Sequence, residues 1–246
     1  MDARLYLAKP FELASPSEVV KVRLRKGEYQ VVLRESPFEP ENPEGGRRGR
    51  IEGPHGTLTV RRVTWDGNQR AAIHSGEMEG ELRAGDDVVA KVDPSVRRHN
   101  GAYHTVSHLL TSIARELWRA DFLGKLALAD FGGFLTLFGQ AGRAAGWQEV
   151  AAALERYIGA DIPVLIYSLP RGEALERCGR FFESVVPNSV AEWRVVQFEG
   201  TSFLPIPCGG VHVPNLTAVR GIEITGSRGS GDNLVLQYKC DYVPAS

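Results

Sequence analysis

Apolar and polar residues alternate, or β-branched residues follow one another, in short runs at 18–24, 28–33, 56–63 and 87–92, with Gly, Pro and Asp between them. A period of two bounded by turn residues predicts strands. Residues 4–93 therefore read as all-β, with a spacing that suits a small barrel or sandwich. One irregular stretch interrupts them. Residues 36–50 hold three prolines and three glycines, which forbid a regular element, and a loop of that length is functional or disordered.

The period changes at residues 100–118, which read as a helix with Asn100 as N-cap. At about 100° per residue, Val106, Leu109, Leu110, Ile113 and Leu117 form one apolar stripe, and His104 and His108 fall on the opposite side. Residues 93–97 form the joint before this helix. Further on, strand-like pieces surround 127–130 and 134–138. Residues 147–157 have helical spacing, with Gly159 placed to end the helix. A strand at 163–168, a helix at 171–182, a strand at 192–198 and two strands at 221–225 and 233–239 complete an α+β part with an antiparallel sheet. The domains expected are 1–93, β, and 94–246, α+β.

Composition narrows the class without choosing a function. The 246 residues are 43% hydrophobic, enough to fill a real core. Lys and Arg number 29 against 30 Asp and Glu, so net charge does not advertise a polyanion partner; only local basic surface could. The three cysteines, Cys178, Cys208 and Cys240, are too few and too scattered for a disulfide framework. No long apolar run is present. A cytoplasmic, reducing location with no membrane partner is expected.

Candidate chemistry concentrates in two motifs. His104 and His108, four apart, share one helix face. Cys208-Gly-Gly-Val-His212 sets a thiol and an imidazole around two glycines that let the backbone turn them toward one point. Together they supply four ligands of the kind zinc takes. No Glu stands between the histidines, so the general base of a His-Glu-x-x-His protease is absent.

His104-Thr-Val-Ser-His108-Leu-Leu, with Cys208-Gly-Gly-Val-His212-Val and then Gly221-Ile-Glu-Ile, resembles the editing domain of alanyl-tRNA synthetase and its freestanding relatives, the AlaX proteins, in particular their medium-sized class. The segment 5–20, Ile73-His74 with Gly85-Asp86-Asp87-Val88, and 163–173 extend the likeness over most of the chain. The resemblance implies a small N-terminal β-barrel with a glycine-rich loop, followed by an α+β editing domain. It implies a trans-editing hydrolase that deacylates mischarged aminoacyl-tRNA, serine on tRNA for alanine above all. Zn2+ would be held by His104, His108, Cys208 and His212. Cys208 committed to zinc would be a poor nucleophile.

The loop departs from the family pattern. In place of the family's Thr before Phe-Tyr-Pro, and of a triple glycine followed by Gln, this chain has Ser36-Pro-Phe38-Glu-Pro40 and then Gly45-Gly46-Arg47. Ser36 takes the Thr position and is expected to set selectivity through its hydroxyl. Arg47, Arg48 and Arg50, in the same loop, are expected to contact tRNA phosphates. Two other classes share these residues. One is a zinc-stabilised RNA-binding module without catalysis; the other is a relative acting on a different acyl or aminoacyl substrate in a biosynthetic pathway.

Overall fold

The computed structural model describes residues 5–40, 48–67, 71–129, 132–143 and 145–243. Its contacts divide it into two compact units, Met1–Arg98 and His99–Ser246.

In the first unit a single helical turn, α1 (Leu5–Ala8), precedes the strands, so the reading of residues 4–93 as purely β misses one turn. Six strands follow: β1 (Ala14–Arg25), β2 (Glu28–Leu33), β3 (Gly49–Glu52), β4 (Gly56–Trp65), β5 (Ala72–Gly80) and β6 (Asp87–Val92). They close into an antiparallel barrel in the order β1-β2-β5-β4-β3-β6. The β1–β2 hairpin turns on Lys26 and Gly27, with φ of 51° and 81°. Two successive positive φ values match the right-handed twist of the flanking strands. Alternation sends Val88, Ala90 and Val92 of β6 inward. In β4 the inward set runs Leu58, Val60, then Val63, because a bulge between Val60 and Arg62 inserts one residue and reverses the phase. Gly49 has φ 143° where β3 meets β6, and a Cβ there would collide with the Lys91 carbonyl. Closure of the barrel at that point requires glycine.

The helix α2 (Pro94–Trp118) starts six residues before the expected boundary, so Asn100 lies inside it. Asp93 is the cap. Its Oδ1 accepts from Ser95 N at 2.8 Å and from Val96 N at 3.4 Å, and Pro94 supplies the fixed φ suited to a first helical position. Residues 93–97, read as a joint, are this cap and the first turn. The division between the two units falls within α2, between Arg98 and His99.

The second unit continues with β7 (Gly124–Ala129), β8 (Gly132–Leu137), α3 (Trp147–Leu154), β9 (Val164–Pro170), α4 (Arg171–Cys178), β10 (Glu192–Phe198), β11 (Ile206–Pro207), β12 (Val219–Ser230) and β13 (Asn233–Tyr242). All pairings are antiparallel, in one sheet ordered β12-β13-β8-β7 and another ordered β11-β10-β9. Val106, Leu109, Leu110 and Ile113 of α2 share one core with Leu135 and Leu137 of β8 and Leu234 and Leu236 of β13. Leu117, expected on the same stripe, is 39% exposed. Tyr238 Oη donates to the Tyr103 carbonyl at 2.7 Å and fastens β13 to the helix.

Two helices stop earlier than their spacing suggested. After α3, Tyr157 N bonds the Leu154 carbonyl at 2.8 Å, a tighter i to i−3 turn. After α4, Gly179 with φ 104° breaks the helix, and a 3-10 turn, Arg180–Ser184, takes over. Among the described residues no helix is long and apolar enough to cross a membrane.

Candidate metal centre

The two ligand motifs meet within the second unit. One donor atom from each of His104, His108, Cys208 and His212 lies within 4.8 Å of the others. Cys208 Sγ is 3.4 Å from His104 Nε2 and 3.3 Å from His212 Nε2. The three imidazole centroids are 4.4 to 5.0 Å apart. A tetrahedral ion with bonds of about 2.0 Å to nitrogen and 2.3 Å to sulfur separates such donors by about 3.5 Å. The Sγ–Nε2 distances are already close to that figure.

Helical spacing supplies the first pair; a partly buried, braced loop supplies the second. Arg194, on β10, donates through one Nη to the carbonyls of Cys208 at 2.8 Å and of Gly210 at 3.0 Å. Cys208 N donates back to the Arg194 carbonyl at 3.0 Å. Gly210 N–H points at Cys208 Sγ, 3.3 Å away, and supports electron density on sulfur. Thr105, between the two helix histidines, reaches the start of the next segment: Val213 N donates to its Oγ1 at 3.1 Å.

Burial sets the charge state. Desolvation lowers the pKa of His108, and it carries that of His212 well below the usual imidazole value, with the neighbouring histidines and Arg194 adding to the shift. Both rings are therefore neutral near pH 7, with a lone pair free to bind a cation. His108 Nδ1 is buried and has no hydrogen-bond partner among the described residues. The expectation that the histidine side of α2 faces away from the core is modified. His108 is only 9% exposed and His212 fully buried, because the 208–213 segment covers that side too.

The loop residues lie in the first unit. Ser36 is 1% exposed, and its Oγ is 2.7 Å from His74 Nε2 and accepts from Phe38 N at 3.2 Å. His74 Nδ1 lies 3.0 Å from the Val31 carbonyl. A carbonyl only accepts, so Nδ1 carries the ring proton, Nε2 is bare, and the Ser36 hydroxyl must be its donor. Arg50 is exposed on β3. Arg48 is 5% exposed, with its guanidinium pKa lowered by desolvation against the pull of Glu39. Arg47 lies outside the described residues. Arg97 is 3% exposed and donates to the carbonyls of Pro10 and Pro37. It holds the 36–40 segment inside the first unit. No local spacing rule marks Thr105, Arg194 or His74, since each acts on a partner distant in sequence.

Three imidazoles and a thiol on one point, in an α+β unit of antiparallel sheets, with a six-stranded barrel in the other unit, define a protein with a candidate metal site of the zinc type. No family model matches the chain. It is 25% identical over 251 residues to the alanyl-tRNA editing protein AlaX-L of Pyrococcus horikoshii, an alignment covering 98% of this chain and 59% of that protein. To the chloroplastic/mitochondrial alanine–tRNA ligase of Arabidopsis thaliana it is 29% identical over 229 residues, 85% of this chain and 22% of the ligase. To the alanine–tRNA ligase of Synechococcus sp. (strain JA-3-3Ab) it is 31% identical over 206 residues, 81% of this chain and again 22% of the ligase. The chain thus spans less than two thirds of each of these relatives, and under a quarter of the two ligases. It is AlaX-like, similar to an alanyl-tRNA editing protein along nearly its whole length.

Proposed function

We propose that this chain is a trans-editing deacylase: it hydrolyses the ester joining a wrong amino acid to tRNA, with serine on tRNA for alanine as substrate, at a zinc site made by His104, His108, Cys208 and His212. The observation that carries the reading is the convergence of these four donors within 4.8 Å in a chain similar over 98% of its length to an alanyl-tRNA editing protein.

The residues fit the metal. They offer three nitrogens and one sulfur within 4.8 Å of one another, with the sulfur 3.3 and 3.4 Å from two of the nitrogens, and two rings kept neutral by burial. When bound, zinc supplies a Lewis acid that polarises an oxygen of the substrate. The chain's own groups bind and orient. Arg194 and Gly210 hold the Cys208 loop in shape. A thiolate engaged as ligand is a poor nucleophile, so Cys208 acts by holding the site together. An aminoacyl ester is activated, and orientation beside a water accounts for much of the rate without a covalent intermediate.

Selectivity falls to Ser36. Its proton is committed to His74, which leaves a lone pair that accepts from a seryl hydroxyl and gains nothing from an alanyl methyl. Because Ser36 is 1% exposed, this contact requires the 36–40 segment to shift. The exposed Arg50, with Arg47 of the same loop, would bind tRNA phosphates, whereas the buried Arg48 would serve the barrel instead.

The test is deacylation of Ser-tRNA and Ala-tRNA, each on tRNA for alanine, beside zinc analysis of the same preparation. Seryl hydrolysis faster than alanyl, from protein carrying about one zinc per four-ligand site, is expected. Zinc-loaded protein inert on both substrates would sink the proposal.

A further inference from the structure

Thr105 sits between His104 and His108 on α2, and its side chain is fully buried. Its Oγ1 has three neighbours: the Gly101 carbonyl at 2.8 Å, Val213 N at 3.1 Å and His212 Nδ1 at 3.2 Å. A hydroxyl has one proton to give and two lone pairs to receive. The Gly101 carbonyl can only accept and the Val213 amide can only donate. One choice is left: either the hydroxyl proton goes to Gly101 and His212 Nδ1–H donates to Oγ1, or the proton goes to a bare His212 Nδ1. The distances decide it. The 2.8 Å separation is that of an O–H···O bond, and 3.2 Å belongs to the longer N–H···O range. In the first arrangement every donor and acceptor at Oγ1 is used.

His212 then has its proton on Nδ1 and a bare Nε2, the nitrogen that lies 3.3 Å from Cys208 Sγ inside the ligand cluster. We infer that Thr105 is a positioning residue: by accepting from His212 Nδ1–H it selects the tautomer that presents Nε2 to the metal, and through Val213 N it fixes the chain beside that ring. The inference rests on the metal reading above. Metal-bound histidines commonly need an outer partner of this kind, and losing one lowers metal affinity by about 10- to 100-fold.

Thr105→Val keeps the branched shape and removes the hydroxyl; Thr105→Ser keeps the hydroxyl. Two measurements apply: zinc affinity by competition with a chelator, and the His212 tautomer by 15N NMR of metal-free, histidine-labelled protein. The expected results are a zinc affinity about 10- to 100-fold weaker in Thr105→Val, near wild-type affinity in Thr105→Ser, and a protonated Nδ1 on His212 in the wild type. Zinc bound by Thr105→Val as tightly as by wild type, with wild type binding zinc, overturns this inference alone. A wild type that takes up no zinc overturns the metal reading and this inference with it. Should Thr105→Val not fold, the tautomer in wild type and Thr105→Ser decides, and a bare Nδ1 refutes the role of Thr105.

Discussion

Acidification is expected to loosen the barrel through His74, and the structure sets the size of the effect. Burial pushes the His74 pKa down from 6.5 to about 4, opposed by the bond from Nδ1–H to the Val31 carbonyl. Between these two values the unfolded chain binds a proton that the folded barrel refuses. Stability on this account is fully present above the unfolded pKa and is lost as pH falls toward 4. Each pH unit in that window costs about 1.4 kcal/mol for one proton, so a descent from pH 7 to about pH 4.5 removes about 2 kcal/mol. The carboxylates of the barrel also titrate, and a comparison variant isolates the imidazole. Ser36→Ala with His74→Phe removes the imidazole and its hydroxyl partner together; the Phe38 N–H and Val31 carbonyl that lose a bond do not titrate, so the variant isolates the proton uptake. Hydrogen exchange of amides in β2 and β5 reads the opening free energy of the barrel itself, apart from the second unit. Wild type should lose about 2 kcal/mol more protection than the double variant over that pH range. An equal loss in both proteins would show that His74 takes its proton in the folded state, contrary to its burial.

Three further outcomes follow from the site. His104→Ala should abolish zinc uptake, and Cys208→Ala should lose metal and deacylation together; activity lost with metal retained would make Cys208 the nucleophile instead. Arg50→Ala should reduce the slope of log tRNA affinity against log salt by about one, whereas Arg48→Ala, at a buried guanidinium, should lower the thermal midpoint of the protein. An unchanged slope for Arg50→Ala would make it a solvated residue only. Ser36→Ala should cost about 1–3 kcal/mol by stranding His74 Nε2, and should lower seryl hydrolysis more than alanyl; the rate ratio is independent of how much protein folds, and an unaltered ratio removes Ser36 from selectivity.

What the sequence made legible is what local spacing controls. The inward positions of β6 are a plain alternation, and the start and end of β10 coincide with the expected 192–198. The ligand pairs were legible for the same reason: i and i+4 on a helix, and Cys and His around two glycines, are local geometry. The misplaced start of α2 is a contest between two cap signals. Asn100 is a good cap residue, but Asp93 followed by Pro94 is also a strong start, and it stands earlier in the chain. Arg48 read as a phosphate contact because charge implies exposure by default, yet it is buried. Arg97 is likewise buried, on the carbonyls of Pro10 and Pro37, up to 87 residues away, which no window along the chain contains. Thr105 meets His212 across 107 residues and was invisible for the same reason.

The polar face of α2 explains why the ligand cluster and the core can share one helix. Thr105, Ser107, Thr111 and Ser112 are all buried, which ordinarily opposes folding. Three of the hydroxyls bond back to carbonyls of their own helix: Thr105 to Gly101 at 2.8 Å, Ser107 to His104 at 2.7 Å and Thr111 to Ser107 at 2.7 Å. These back-bonds place the three hydroxyl protons within the helix itself. The helix can therefore be covered on both sides, by the leucine-rich sheet on one and by the 208–213 segment on the other, and its imidazoles are desolvated, with Ser112 Oγ the hydroxyl on this face left without a partner among the described residues. Desolvation is what keeps His108 and His212 neutral. Replacing Ser107 or Thr111 by a larger apolar residue would leave the ligands named but shift the helix that aims them, so the small hydroxyl residues of this face belong to the site as much as the four side chains that converge on it.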